Sequence, residues 1–198
     1  MIMVGSVWCS LNLKIKIMEK INMFDELLKK NCFSTDEKER LDAANQLEQL
    51  YGCQISAIEM DESVLFAHHA RGCTIVAAKI CENAVIYQNV TIGSNLRYNK
   101  RTETWENVGN PVIGKNVIVS DGAKILGPVI IGDGSVIGAG AIITKDIPEN
   151  SVAYGVNQYK PKDPDYDLVF YKDMIEPEQI VAACNDLIAK YNESKSYD

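Results

Sequence analysis

Apolar residues in the middle of this chain recur at every sixth position. From Ile113, a step of six lands on Val119, Ile125, Ile131, Ile137 and Ile143 without a miss. Four residues after the first five of these stand Val117, Ala123, Val129, Ser135 and Ala141, all small or β-branched, and glycine follows the aliphatic at Gly114, Gly132 and Gly138. Upstream, Thr74, Ile80, Ile86 and Ile92 keep the step, with Ala78, Ala84 and Val90 in the small position. Met60 with Val64, and Phe66 with Ala70, extend it backward. Neither a helix nor a hairpin has this period. Three hexads make one coil of a triangular solenoid: the large residue fills the axis, the small one takes the corner, and glycine permits the turn. Parallel coils stacked at about 4.8 Å each bury the face of the one before. The expected fold class is therefore an all-β solenoid, with short α-helical segments at both ends.

The step breaks twice. Phe66 to Thr74 is eight residues rather than six, so two extra residues bulge around His68 and His69. Ile92 to Ile113 is twenty-one, so residues 95–111 (NLRYNKRTETWENVGNP) leave the solenoid as a loop. Ligand contacts concentrate on long loops carried by rigid scaffolds. Tyr98, Trp105, Arg97 and Arg101 favour a functional loop over a passive insertion.

The ends differ in kind. STDEKERLDAANQLEQLYG opens with a capping-box pattern (Ser34, Glu37), carries apolar Leu41, Ala44, Leu47 and Leu50, and stops at Gly52, which predicts an amphipathic helix. A further helix is expected around residues 14–30. EPEQIVAACNDLIAKYN predicts a last helix with Pro177 at its start. Both ends are expected to cap the solenoid. The chain thus divides into an N-terminal helical segment (1–53), a solenoid domain (54–160) and a C-terminal extension (161–198).

Composition narrows the partners. The 198 residues carry a net charge of −7, with a sequence pI of about 4.9, which argues against broad attraction to nucleic acid or an anionic membrane. No apolar stretch reaches the ~18 residues of a membrane span. The six cysteines form no CxxC pair or framework spacing, as expected in a reducing, cytoplasmic compartment. No metal-ligand pattern is present.

The hexads, the histidine-bearing bulge and the run IGAGAIITKDIPENSVAYGV together resemble the hexapeptide-repeat acyltransferases. The match is closest to the serine acetyltransferase branch and the related enzymes that acetylate capsule and exopolysaccharide sugars. It covers residues 54–160, in HHARGCTIVAAKICENAVIYQNVTIGSN, GNPVIGKNVIVSDGAKILGPVIIGDGSVIGAGAIITKDIP and AYGVN. The resemblance implies a left-handed parallel β-helix, a homotrimer with active sites between neighbouring solenoids, and acetyl-coenzyme A as donor. It implies a histidine base in the bulge. Counting back twelve from Ile80 selects His68, whereas the string HHARG set on the family's DHATG-like string selects His69; both remain candidates. By the same resemblance Gly93, Gly122, Ala123, Gly140 and Ala141 line the pantetheine path; Lys145, Lys160 and Lys162 are candidates to meet the phosphates. Trp105 is a candidate to stack on the acceptor or on the adenine, and Tyr98 to contact the acceptor.

Two departures bear on the acceptor. No carboxylate adjoins either histidine, and the family's DRHP string is here VGNP, with Asn110 at its histidine and Gly109 at its arginine. The expected function is O-acetyl transfer to a hydroxyl of a sugar, a glycan or L-serine, by direct transfer in a ternary complex. A neutral histidine, with an ordinary pKa near 6.5, suits proton removal from an alcohol at neutral pH, and backbone amides are expected to stabilise the oxyanion. The alternative is a non-catalytic hexapeptide-repeat scaffold. Carbonic anhydrases of this fold need three separated histidines, and this chain has two, adjacent.

Overall fold

The computed structural model describes residues 23–94, 96–170 and 176–195. They form two compact units, one ending at Tyr166 and the other beginning at Asp167. Residues 14–22 of the expected first helix, and Asn95 of the expected loop, lie outside the described residues.

In the first unit the hexads become short parallel strands stacked on three faces. On the first face Ile55, Ile75, Ile92, Ile125 and Ile143 stand in register. On the second, Met60, Ile80, Ile113 and Ile131 do so, and Ile147 bridges to Ile131. On the third are Phe66, Ile86, Val119, Ile137 and Ala153. These side chains fill the axis, and Ile113, Ile125, Ile131, Ile137 and Ile143 are fully buried. Ser135 shows why a hydroxyl is tolerated at a small position. Its Oγ donates to the Pro148 carbonyl at 2.8 Å and accepts the Ser151 N–H at 3.1 Å, so the buried polar atom is satisfied.

One repeat position is corrected. Thr74 is exposed, and the axial residue on the first face is Ile75, fully buried. The strand Thr74–Ile80 runs unbroken round the corner between the first and second faces. Its alternation therefore points Ile75 and Ala77 inward and leaves Ala78 half-buried. Ile75 to Ile80 is a step of five, and Ile75 to Ile92 is seventeen residues where Ile125 to Ile143 is eighteen. The bulge still adds two residues net: Phe66 to Ile86 is twenty.

Coil stacking also fixes certain glycines. A Cβ on Gly132 would lie 2.3 Å from the Glu149 nitrogen and 2.7 Å from its Cα. Backbone cannot yield as a side-chain tip can, so Gly132→Ala should cost about 1–3 kcal/mol, read as a lower urea midpoint.

At the N-terminal side, α1 covers residues 23–33 and α2 Glu37–Tyr51. The cap of α2 is Asp36 rather than Ser34: its carboxylate accepts from the Lys38 and Glu39 N–H groups, while Ser34 Oγ donates to Glu39 Oε2 at 2.6 Å. The buried face is Ala43, Leu47 and Tyr51; Leu41 and Leu50 are exposed. With Phe24 and Leu27 of α1, these residues join the core beside Cys53 and Ile55 of the first coil. In the second unit, α3 spans Pro177–Lys195, starting where its proline predicts.

Candidate functional site

The bulge leaves the third face after Leu65–Phe66 and rejoins the first at Thr74. Ala67–Ala70 form a tight turn in which His68, His69 and Ala70 all have left-handed φ, at 53°, 58° and 51°. Each such non-glycine residue costs about 1–2 kcal/mol, and runs of them persist only where their surroundings over-determine them. Several contacts do so here. Ala67 and Ala70 are buried, the Ala70 carbonyl accepts the Cys73 N–H at 3.0 Å, and Arg71 O accepts the Asn89 N–H at 2.7 Å.

The two imidazoles go separate ways. His69 is half-buried, with its ring centroid 5.4 Å from Phe24 and 5.6 Å from Tyr51. Phe24 and Tyr51 are themselves 5.0 Å apart, edge to face. His68 is exposed, and its ring lies 6.3 Å from Tyr87 of the next coil.

Further coils continue the same corner. Asn89, Gly122 and Gly140 repeat the left-handed turn at φ 57°, 70° and 67°. The Gly122 N–H donates to Gln88 O at 3.2 Å and the Gly140 N–H to Asp121 O at 2.9 Å. A Cβ on Gly140 would meet nothing within 4 Å, so backbone here is bare and open. Ala123 and Ala141 point into the core, fully buried, and their backbone N–H and C=O groups are paired within the coil stack, so they offer an outside ligand close approach rather than hydrogen bonds. Gln88 Oε1 is buried with no hydrogen-bond partner among the described residues, an orphaned acceptor on this corner. This open, bare-backbone strip beside a histidine fits a narrow chain with amide groups, as pantetheine is.

Other candidates lie elsewhere on the chain. Gly93 ends the first-face strand Thr91–Gly93, opposite the end that Gly122 enters, and Lys145 follows Ile143 on that same far side. Lys160 pairs with Val152 on the third face, and Lys162 Nζ reaches Gly134 O at 3.4 Å on another corner. None of the three lysines shares the histidine corner. The expected loop is a β-hairpin, Arg97–Asn99 against Thr104–Glu106, extruded from the corner between the first and second faces. Tyr98 pairs with Trp105, their rings 5.2 Å apart and both exposed. At the hairpin's foot Ser94 Oγ donates to Gly109 O and lies 3.0 Å from Asn110 Oδ1.

Among the described residues the buried thiols nearest the first coil are held in their neutral form. Burial pushes Cys53 up to about 12 and Cys32 up to about 11, and raises Cys73 likewise. Among the described residues no group of three or more His, Cys, Asp or Glu side chains is placed to hold a metal, and no helix is long and apolar enough to cross a membrane.

Residues 110–145 match the family model described as bacterial transferase hexapeptide (six repeats). Over that stretch the repeats are those of the bacterial hexapeptide transferases, and the chain is similar to the serine acetyltransferase-like branch. The chain is 38% identical to the serine acetyltransferase of Mycobacterium tuberculosis over 94 residues, 46% of this chain and 38% of that protein. It is 34% identical to that of Helicobacter pylori over 92 residues, 46% of this chain and 50% of that protein. It thus spans half or less of the length of these curated relatives. The crystal structure of Neisseria gonorrhoeae serine acetyltransferase superposes with a TM-score of 0.51 at 26% identity, covering 67% of this chain and 48% of that one. The solenoid is a left-handed parallel β-helix.

Phe24, Tyr51, Tyr87 and Gln88 were not legible as site residues. Tyr87 and Gln88 follow a repeat isoleucine and read as ordinary corner positions, while Phe24 and Tyr51 belong to helices whose faces the hexads do not fix.

Proposed function

We propose that this chain is an acetyl-coenzyme-A-dependent O-acetyltransferase acting on a hydroxyl acceptor, L-serine or a sugar of the capsule, sialic acid or exopolysaccharide type. The observation that carries the reading is the strained turn presenting His68 and His69 on the corner that holds the bare Gly122–Gly140 strip. The relatives' names support acetyl transfer and favour serine; Gly109 and Asn110, in place of the family's arginine and histidine, leave a sugar equally in play.

The donor supplies an acetyl thioester. Gly122, Ala123, Gly140 and Ala141 let its pantetheine arm lie close against the backbone, with no side chain between them on the open side at Gly140. A neutral histidine of the bulge takes the acceptor's hydroxyl proton as the oxygen attacks, in a ternary complex. The raised thiols support direct transfer over a covalent acyl-enzyme.

The hairpin and the histidines leave different corners of one prism, so a site using both needs a second copy. We take the assembly to be a homotrimer, with Gly93, Lys145 and Lys160 of one protomer facing the histidine corner of the next, in a reducing cytoplasm. Trp105 and Tyr98 then close over the acceptor. Aromatic contacts of this kind are worth about 0.5–1.5 kcal/mol, so Trp105→Ala should raise acceptor KM roughly two- to twelve-fold with kcat little changed.

The direct test is release of coenzyme A from acetyl-coenzyme A with serine, sialic acid, galactose and other capsule sugars as acceptors. Release with one of them supports the assignment and names the acceptor. No release with any, together with no coenzyme A binding, would establish the scaffold reading instead.

A further inference from the structure

We propose that the two adjacent histidines divide the work: His69 is a positioning residue that anchors the strained turn, and His68, held out by that anchor, is the base. The inference rests on the acetyl-transfer reading above. It is carried by the aromatic triangle of Phe24, Tyr51 and His69, with centroids 5.0, 5.4 and 5.6 Å apart.

Three consecutive left-handed residues without a glycine need something to hold them. Buried Ala67 and Ala70 and the backbone hydrogen bonds of Ala70 and Arg71 hold the turn to its own coil and its neighbour, but none of them ties it to the helices. His69 does. Its ring rests on α1 through Phe24 and on the last residue of α2 through Tyr51, and both partners are buried, at 2% and 8% exposure. A ring packed on two others has little freedom to meet a ligand outside the corner. His68 has the opposite surroundings. It is exposed, and its aromatic neighbour is Tyr87, one coil further along the corner toward Gly122 and Gly140. The five-residue step from Ile75 to Ile80 also undoes the count of twelve that pointed to His68, so side-chain direction decides between the two. The helical pair α1–α2 thereby acquires a function beyond covering the first coil, because it sets the geometry of the base.

The test uses the full chain with its best acceptor. A base displaced by about 1 Å can lose on the order of 10²-fold in turnover, so His69→Ala should fall by roughly that factor in kcat. His69→Phe keeps a ring in the triangle but cannot take a proton. It should recover most of the lost turnover and retain the fall in kcat/KM toward acid pH that a histidine base imposes. If His69→Phe is as slow as His69→Ala and that acid limb is gone, His69 is the base and the proposal is overturned. Should the unsubstituted protein transfer acetyl to no acceptor, the functional reading fails, and the anchor is judged by NMR of the imidazole C–H signals. His69→Ala should move the His68 signals, whereas His68→Ala should leave the ring-current-shifted His69 signals in place. The reverse pattern refutes the anchor.

Discussion

Ile125→Ala should lower the unfolding free energy by about 2–5 kcal/mol, seen as a lower urea midpoint at nearly unchanged slope. Ile125 is fully buried and stands between Ile92 of the coil before and Ile143 of the coil after. Deleting its outer carbons opens a hole on the prism axis. Backbone ladders on both sides hold the neighbouring coils at strand spacing, so the walls cannot close on that hole, and the cost falls toward the upper part of the range. Ile142→Ala is the control. Its side chain points outward at 37% exposure, and truncating it should cost well under half as much. Equal losses at the two positions would mean that the axis is not where the stability resides.

That contrast also explains why so much of the fold was legible. Six-residue spacing is a direct consequence of a three-sided coil, and each aliphatic from Ile113 to Ile143 has one possible role. Thr74 failed because threonine and isoleucine both suit a strand. A step of six chose Thr74, whereas the bulge and the unbroken Thr74–Ile80 strand move the inward position to Ile75. The cap of α2 went to Asp36 rather than Ser34 because three candidate oxygens stand close together and only backbone geometry separates them. Leu41 and Leu50 failed because α2 packs through a narrow face set by Ala43, Leu47 and Tyr51. The bulge was found by a break in spacing, but its working parts were not. Phe24, Tyr51 and His69 are remote in sequence, and no local pattern marks a contact among them. The scatter of Lys145 and Lys162 over different corners, with Lys160 on the third face, was equally invisible, since position along the chain says little about which side of a solenoid a terminal residue takes.

The functional counterpart is His68→Ala, which should lower kcat by 10²- to 10⁴-fold, the usual contribution of a positioned general base, with acceptor KM changed far less. The sign of its pH dependence follows from the role. A base works only unprotonated, so the unsubstituted protein loses rate as pH falls, and the residual rate of His68→Ala should lack that acid limb. Folding does not confound the result, because alanine at φ 53° bears much the same backbone cost as histidine. His68→Gly separates the two effects further. Glycine relieves the roughly 1–2 kcal/mol of left-handed strain and returns about 0.5–1 kcal/mol of it in chain entropy, so stability should hold or rise slightly while turnover collapses as it does in His68→Ala. A variant that is at least as stable and nearly inactive would identify the strain at His68 as retained for catalysis. A His68→Gly variant that keeps wild-type turnover would remove His68 from the reaction altogether.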